Sequence, residues 1–185
     1  MPGPPGQAML TMKAVAETER LRLREFSRED APFLLELLNT PEWLKFIGDR
    51  NVKTLDEARN YASSRLISSY RRFGFGLYKV ELKEGSTPIG MCGLVRREAL
   101  DDVDLGFAFL PQYTGMGYAQ EAGNAIMDLA KKKVKSKRLV AITMVDNAHS
   151  IALLRKLGFN FEKTVNFPGE DQTLMMYSVD LKGRN

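Results

Sequence analysis

The chain has 185 residues, of which 44% are hydrophobic and 27% charged, with a formal net charge of +4. These values describe one ordinary globular domain, and the mild charge falls short of a nucleic-acid-binding signature. The single cysteine, Cys92, excludes an intramolecular disulfide framework and favours a reducing compartment, which predicts a cytoplasmic protein. The single histidine, His149, argues against a histidine-rich metal site or a Ser-His-Asp triad, so no metal is expected.

The first residues differ from the rest of the chain in composition. Residues 1–16 are rich in proline and glycine and then small and apolar, without the charged start and apolar core of a signal peptide. They are predicted to form a disordered tail. The remaining residues, 17–185, are predicted to form a single domain.

Periodic runs of apolar residues predict the elements of this domain in chain order. Ser27 and Thr54 are suitable N-caps for the first two helices, and a loop over residues 41–48 joins these helices. The predicted elements are strand 21–24, helices 27–39 and 54–72, strands 75–82, 89–96 and 103–110, a helix after residue 117, strand 139–145, helix 149–157, and strands 159–165 and 173–181. The order βααβββαβαββ predicts an α/β fold, a mixed sheet with helices on both faces.

The stretch over residues 103–133 carries the clearest functional signal. An apolar and aromatic run up to Leu110 predicts a buried strand, which Pro111 ends because proline has no N–H for the ladder. Gly115 and Gly117 then form a turn into a helix. The free N–H groups and the positive end of the macrodipole at a helix N-terminus attract anions, and glycine lets the backbone approach a phosphate closely. The stretch therefore predicts a phosphate-binding site.

Two common phosphate loops do not fit this pattern. A Walker loop requires Gly, four residues and then Gly-Lys-Ser/Thr, and the chain has no such run. A dinucleotide fingerprint would place Gly or Ala at Gln120 and an acidic residue about 20 positions later, where the chain instead has lysines. The pattern Gln112-x-x-Gly115-x-Gly117, followed by tyrosine and alanine, resembles the acyl-CoA pyrophosphate loop of the GNAT acetyltransferase superfamily.

A second segment strengthens this resemblance. The β-branched run at 139–145 predicts a buried strand, and the helix after it has Asn147 as a suitable N-cap and Gly158 as a suitable C′ residue. Asn147-x-x-Ser150, followed by a short helix and Leu-Gly-Phe, is similar to the other cofactor-binding segment of GNAT enzymes. The resemblance covers roughly residues 19–181 and is closest to the Rim-type branch, the ribosomal-protein N-terminal acetyltransferases.

The resemblance implies the GNAT fold and transfer of an acetyl group from acetyl-CoA to an amine by direct attack on the thioester. In this family the pantetheine arm lies in a wedge between the fourth and fifth strands and pairs with the backbone of the fourth. An N–H near Phe109 would then polarise the thioester carbonyl. The residues assigned to the cofactor in this way are Phe107, Ala108, Phe109, Leu110, Gln112, Tyr113, Thr114, Gly115, Met116, Gly117, Tyr118, Ala119, Asn147 and Ser150.

The sequence departs from the family at the position that serves the leaving group. Many members have a tyrosine acid four residues before the glycine of Leu-Gly-Phe, and this chain has Leu154 there. A thiol has a pKa near 8.5, so the thiolate is disfavoured at neutral pH by only about 2 kcal/mol. A weak donor such as Ser150, or water, could therefore serve as the acid.

No strong general base stands out in the sequence. Asp104 and Glu98 are the carboxylates nearest the expected cleft, and Glu162 is a third candidate, with an exposed strand-end charge as the alternative for each. His149 could also act as a base, although its first-turn position is usually exposed. Deprotonating an α-amine at pH 7 costs about 1.4 kcal/mol, whereas a free lysine costs about 4.6 kcal/mol. The acceptor is therefore expected to be a protein N-terminal α-amine or a small-molecule amine.

The acceptor side is expected between the first two helices. Trp43, Phe46 and Ile47 lie where GNAT relatives wall the acceptor site, with core packing as the alternative, and Phe167 is a further candidate. The expected partner is an amine acceptor, without nucleic acid or membrane, and the protein could be a monomer or a homodimer. Two other functions stay open: a catalytically silent acyl-CoA-binding or regulatory module on the same fold, and a basic RNA- or ribosome-associated protein.

Overall fold

The computed structural model describes residues 13–181, which form an eight-stranded sheet with helices on both faces. The strands are β1 (Ala16–Glu17), β2 (Leu21–Arg24), β3 (Leu77–Leu82), β4 (Pro88–Val95), β5 (Asp104–Phe109), β6 (Arg138–Met144), β7 (Asn160–Asn166) and β8 (Thr173–Asp180). The helices are α1 (Ala31–Leu37), α2 (Pro41–Phe46), α3 (Leu55–Tyr61), α4 (Ser68–Phe73), α5 (Tyr118–Lys133) and α6 (Ala148–Lys156). A π-helical segment, Ala62–Ile67, joins α3 to α4. Short 3-10 turns span Arg28–Asp30 and Pro111–Tyr113.

The predicted mixed sheet is confirmed. The strand order is β1-β2-β3-β4-β5-β6-β8-β7, and neighbouring strands are antiparallel except for the parallel pair β5 and β6. Helices cover both faces, and the elements follow the predicted order with two additions, β1 and α2. Residues 1–12 of the predicted tail lie outside the described residues, and Ala16 at its end pairs with Leu23 in β1.

Helix α2 corrects the loop that was predicted over residues 41–48. The Thr40 side chain accepts a hydrogen bond from the backbone N–H of Trp43, and Pro41 occupies the first helical turn. Both are favourable starts for a helix, because the cap satisfies a free N–H and proline has none to satisfy. The short length of α2 explains why its apolar residues give too little periodicity to reveal it.

Two hydrophobic clusters fill the two faces of the sheet. Cys92 of β4 belongs to the cluster that contains Ala122 and Ile126 of α5. The adjacent residue, Met91, belongs to the cluster that contains residues of α1, α3 and the π-helical segment, whereas α4 packs against the first cluster. This division follows from the alternation of side chains along a strand. Cys92 is a buried free thiol, and burial raises its pKa to about 12, which disfavours the reactive thiolate.

A buried ionic cluster ties the segment before α1 to the sheet. Lys79 Nζ lies 2.8 Å from Asp30 Oδ1 and 3.7 Å from Glu81 Oε2, and Arg24 Nε lies 2.5 Å from Glu81 Oε1. Asp30 also accepts from the backbone N–H of Ser27 at 2.8 Å. Two positive and two negative side chains therefore neutralise one another away from water, which the low-dielectric interior requires.

Candidate active site

Strands β5 and β6 touch at one end and part at the other. Asp104 of β5 is paired with Val140 of β6, and Val140 N donates to Val103 O at 3.1 Å. Beyond this bridge, residues of both strands line a common cavity instead of pairing. The predicted wedge lies between these strands, which are the fifth and sixth of the structure because β1 precedes the first predicted strand.

The wedge receives two free backbone donors from β5. Leu110 N donates to Ile89 O at 2.9 Å, and the antiparallel ladder alternates from there, so even-numbered residues of β5 direct their N–H groups towards β4. The N–H groups of Phe107 and Phe109 therefore point towards the wedge. Both residues line the cavity. An unpaired backbone donor in such a place favours a ligand with carbonyl groups.

The glycine turn after β5 lies at one end of the same cavity. Gly115 and Gly117 have φ angles of +78° and +83°, in the left-handed region that glycine adopts without strain. Gly117 is the N-cap of α5, and the first hydrogen bond of the helix runs from Glu121 N to Gly117 O at 3.1 Å. The N–H groups of the first helical turn, which begins at Tyr118, consequently face away from the helix body and can bind an anion.

Arg20 holds this turn from the opposite side. Its Nε lies 2.9 Å from Glu121 Oε1, and its Nη1 donates to Met116 O at 3.1 Å. The guanidinium also lies 4.2 Å from the centroid of the Tyr118 ring, a cation–π contact. Arg20 therefore positions the turn without lining the cavity.

Helix α6 brings the second predicted segment to the wedge. Asn147 is the N-cap as predicted, and its Oδ1 accepts from Ser150 N at 3.2 Å. Gly158 ends the helix as predicted, with its N–H donating to Arg155 O at 2.9 Å. Packing against α5 sets the place of α6, since a Cβ at Gly123 would come within 2.7 Å of Leu157 Cδ1. Asn147 and Ser150 both line the cavity.

A cavity of about 1420 Å³ connects the glycine turn, the wedge and the space beside α2. This volume exceeds the several hundred cubic ångströms typical of drug-sized ligands, so the cavity can hold a long ligand or two substrates. The predicted site residues that line it are Trp43, Phe46, Ile47, Glu98, Phe107, Ala108, Phe109, Tyr113, Thr114, Gly115, Gly117, Tyr118, Ala119, Asn147, Ser150 and Phe167. The cofactor and acceptor residues predicted from distant parts of the sequence thus share one space.

Four predicted site residues do not line the cavity: Asp104, Leu110, Gln112 and Met116. Leu110 is buried in the cluster under α1 and directs its N–H to β4. The Gln112 side chain is exposed in the turn before α5, and Met116 is 52% exposed. For Leu110 the physical reason is strand alternation, which turns every second backbone amide away from the wedge.

Asp104 is 1% exposed, so it is not the exposed carboxylate that either of its predicted roles would require. Its Oδ2 lies 2.5 Å from Arg97 Nε, and its Oδ1 is buried without a hydrogen-bond partner. Burial raises the pKa of the Asp104 carboxyl, and the charge and hydrogen bond of Arg97 oppose this rise. Arg97 lines the cavity and lies 5.9 Å from the Phe167 ring centroid. Asp104 is therefore connected to the cavity only through its ion pair with Arg97.

The other predicted acid–base candidates occupy different environments. Glu98 is exposed and lines the cavity. Glu162 does not line it, and hydrogen bonds from Arg138 lower the pKa of its carboxyl, which makes it a poorer base. His149 is exposed in the first turn of α6, at the edge of the cavity. Leu154, at the family's tyrosine position, is fully buried.

Several residues of the site were not predicted from the sequence. Arg20 and Arg97 contact the site through partners far away in the chain, and no local pattern marks them. The polar face of the segment from α3 to α4 did leave a signal: its cavity-lining residues recur at helical spacing, opposite a buried apolar stripe. These residues are Tyr61, Ser64, Arg65, Ser68, Ser69 and Arg72.

Known proteins share this fold. Residues 20–160 match the family model described as the acetyltransferase (GNAT) domain. The N-acetyltransferase YoaA of Bacillus subtilis (strain 168), named as uncharacterized, is 24% identical over 153 residues, covering 82% of this chain and 85% of YoaA. Among solved structures, RimL, a ribosomal L7/L12 alpha-N-protein acetyltransferase in complex with coenzyme A, superposes with a TM-score of 0.76 at 20% identity, covering 91% of this chain and 98% of RimL.

A second solved structure, the ribosomal-protein-S5-alanine acetyltransferase from Vibrio fischeri, gives a TM-score of 0.74 at 19% identity over 90% of this chain and 96% of the other. The structural neighbours thus include ribosomal-protein acetyltransferases. Within residues 13–181, no helix is both long and apolar enough to cross a membrane. The family match, together with the parted strands and the glycine turn, identifies the chain as a member of the GNAT acetyltransferase family and as an acetyl-CoA-dependent acetyltransferase.

Proposed function

We propose that the protein transfers an acetyl group from acetyl-CoA to a primary amine, a protein N-terminal α-amine or a small-molecule amine, by direct attack on the thioester. The observation that carries this proposal is the parting of β5 and β6 beside the N-terminus of α5. It places free backbone donors and an anion-binding helix end in one cavity. The extended shape of this space suits a ligand with a diphosphate at one end and an amide-containing arm at the other.

The residues present fit acyl-CoA. The amides around Gly115 and Gly117 carry no side chain that would separate them from a diphosphate. The free N–H groups of Phe107 and Phe109 need acceptors, and the carbonyl groups of a pantetheine arm would supply them. The Asn147 side chain uses Oδ1 for its cap, so its amide NH₂ stays available as a donor to the same arm.

Acetyl-CoA supplies an activated carbonyl and a thiol leaving group when it is bound. In this proposal, one N–H of β5 donates to the thioester oxygen as negative charge develops there. A preorganised donor of this kind contributes about 3 kcal/mol. The Ser150 hydroxyl, at the cavity wall, donates a proton or hydrogen bond to the departing sulfur. A weak donor suffices because a thiolate whose conjugate thiol has a pKa near 8.5 is disfavoured at neutral pH by only about 2 kcal/mol.

The acceptor amine approaches from the side of α2, where Trp43, Phe46 and Ile47 line the cavity, with Phe167 on the opposite wall. Glu98 is the predicted carboxylate that reaches this space, and the proposal assigns proton removal to it or to water. Asp104 receives no proton-transfer role, because it does not line the cavity. Without a strong base, an α-amine is favoured over a lysine side chain by about 3 kcal/mol of deprotonation cost.

Acetyl-CoA titration and thiol release together test the proposal. Calorimetry measures whether acetyl-CoA binds, and release of free thiol is then followed with N-terminal peptides and small amines as acceptors. Binding followed by amine-dependent thiol release and a mass increase of one acetyl group supports the proposal. Binding without transfer to any acceptor would instead support the silent acyl-CoA-binding module, which the buried Leu154 at the family's tyrosine position favours. Absence of binding would reject both.

A further inference from the structure

Three arginine side chains and a tyrosine line the part of the cavity beside α2. From α3 through α4, Tyr61, Arg65 and Arg72 line the cavity, at positions i, i+4 and i+11 of a nearly continuous helical segment. Arg50, from the preceding loop, also lines it. We refer to Arg50, Arg65 and Arg72 as the arginine wall.

The arginine wall has no acidic partners. Among residues 13–181, no carboxylate oxygen lies within 4.0 Å of a guanidinium nitrogen of any of the three. By contrast, Arg59 on the same helical segment pairs with Asp56, and Arg97 across the cavity pairs with Asp104. Guanidinium groups that face a cavity without a carboxylate are suited to bind an anion from outside.

Trp43 adds an independent observation. It is 5% exposed and lines the same cavity, and its Nε1 is buried without a hydrogen-bond partner. A buried donor without an acceptor is costly. The Nε1 atom itself is not exposed to the cavity, so a ligand oxygen would reach it only after a small shift of the neighbouring side chains.

The sheet separates Arg65 from the phosphate site of the cofactor. The segment that carries Arg65 packs through Ala62 and Leu66 into the cluster that also holds Met91. Helix α5, whose N-terminus forms the anion site, packs into the other cluster, and so does α4, which carries Arg72. The affinity of Arg72→Gln for acetyl-CoA therefore tests directly whether Arg72 is separate from the phosphate site. The acids that line the cavity, Glu42, Glu98 and Glu170, lie on other elements.

We propose that the arginine wall binds a carboxylate of the acceptor, so that the substrate is an amine that also carries a carboxylate. This inference rests on the proposed function, because it concerns the second substrate of that reaction. A planar guanidinium matches a carboxylate with two parallel hydrogen bonds. A free amino acid and the N-terminus of an acidic peptide both present this chemistry.

Matched acceptors test the proposal. The first pair is an amino acid and its amide, and the second is a peptide with glutamate or glutamine after its N-terminal residue. We expect kcat/KM to be about 10- to 100-fold higher for the acid of one or both pairs, mainly through a lower KM. This ratio corresponds to the free energy of a hydrogen bond to a charged group. The pair with the larger ratio identifies the acceptor as a free amino acid or a peptide.

Arg65→Gln and Arg72→Gln should remove most of this preference while the affinity for acetyl-CoA, measured by calorimetry, stays unchanged. Arg71→Gln is the matched control, because Arg71 adjoins Arg72 and is exposed like Arg65 and Arg72, but does not line the cavity. Thermal unfolding checks that each variant is folded. Equal turnover of acid and amide by the wild type, an equal loss for both in the variants, or a stronger preference for a phosphate-bearing amine would overturn the proposal.

The two proposals can fail separately. If no acceptor is acetylated, the proposed function fails, and the arginine wall is then tested by titrating the CoA-bound protein with the same acids and amides. Binding of the acid, weakened by Arg65→Gln, would still support the carboxylate site. No binding of either compound would reject it.

Discussion

Arg20 Nε and Glu121 Oε1 lie 2.9 Å apart, and this ion pair joins the start of β2 to the first turn of α5. Hydrogen bonds from Arg20 Nη1 to Met116 O and from Arg20 N to Glu121 Oε2 reinforce it. The Glu121 carboxylate accepts hydrogen bonds from Arg20 and from the Thr18 hydroxyl. Because protein donors occupy it, it does not compete with an anion at the helix end. The pair therefore fixes the glycine turn while leaving its amides free.

Arg20→Ala should weaken acetyl-CoA binding by about 3- to 10-fold, because the turn loses its hydrogen bonds and its cation–π contact. Calorimetric titration measures the effect. Arg22→Ala provides the control, since Arg22 is two residues away and pairs with the exposed Glu17. Equal affinities for both variants and the wild type would show that the turn needs no support from Arg20.

Gly117→Glu should reduce acetyl-CoA affinity about 10-fold or more, because it adds a negative charge beside the anion site and its Cβ would lie 3.3 Å from Arg20 Nη2, which disturbs the contact that positions the turn. The left-handed φ of Gly117 adds about 1 kcal/mol of strain for any other residue. Gly117→Ala separates strain from charge, because alanine has the same strain without the carboxylate. If Gly117→Glu binds like the wild type, the diphosphate lies elsewhere.

Two substitutions at Asn147 separate its cap from its role in the site. Asn147→Asp keeps an oxygen acceptor for Ser150 N at the helix N-terminus but removes the amide donor, so we expect turnover to fall about 10-fold at unchanged stability. Asn147→Ala loses both and should also lower the free energy of unfolding by about 1 kcal/mol. Thiol-release kinetics and urea unfolding measure the two effects. Wild-type turnover of Asn147→Asp would limit Asn147 to capping.

Lys79→Met should destabilise the fold by about 3–5 kcal/mol, because it leaves Asp30 and Glu81 buried with one cation fewer. Urea unfolding at pH 7 measures this change. Lys131→Met is the comparison, since its pair with Asp128 is exposed and should contribute less than about 1 kcal/mol. A loss of the same small size at both positions would contradict a role for the buried cluster.

The raised pKa of Asp104 predicts a pH-dependent effect on stability. A carboxyl whose pKa is higher in the folded state than its ordinary value of 3.8 holds its proton more tightly when folded, so folding stability falls as the pH rises from that value through the raised pKa. Asp104→Asn removes this penalty. The free energy of unfolding of the variant relative to the wild type should therefore increase with pH over this range.

Urea unfolding at a series of pH values checks this prediction. The attraction to Arg97 acts on the ionised carboxylate and opposes the effect of burial over the same pH range, and it is the smaller of the two because the Arg97 side chain is 44% exposed. A difference between variant and wild type that decreases with rising pH would show that the attraction to Arg97 outweighs the burial of the carboxylate.

Much of the fold and of the cofactor site could be predicted from local patterns. The spacing of Gly115 and Gly117, the cap at Asn147 and the end of α6 at Gly158 are local, because each depends on residues within one helical turn. The apolar run that predicted β5 is likewise decided by adjacent residues. Such features follow from backbone preferences and leave a signature in a short stretch of sequence.

The remaining features depend on contacts between distant residues. The burial of Asp104 follows from strand pairing on both sides of β5, which its position at a strand end does not reveal. Arg20 meets Glu121 across 101 positions of the chain. Arg65 faces the cavity because the π-helical segment packs its opposite face, with Ala62 and Leu66, on the sheet. One sequence does not determine these pairings.

Because β5 and β6 pair at Asp104 and Val140 and separate beyond them, the sheet consists of two parts that are joined near this pair. The opening between the two parts is then governed by how α6 rests on α5, where Gly123 accommodates Leu157 at a distance that a Cβ would not permit. Substitutions at this helix–helix contact should therefore alter the width of the opening through residues that do not line the cavity.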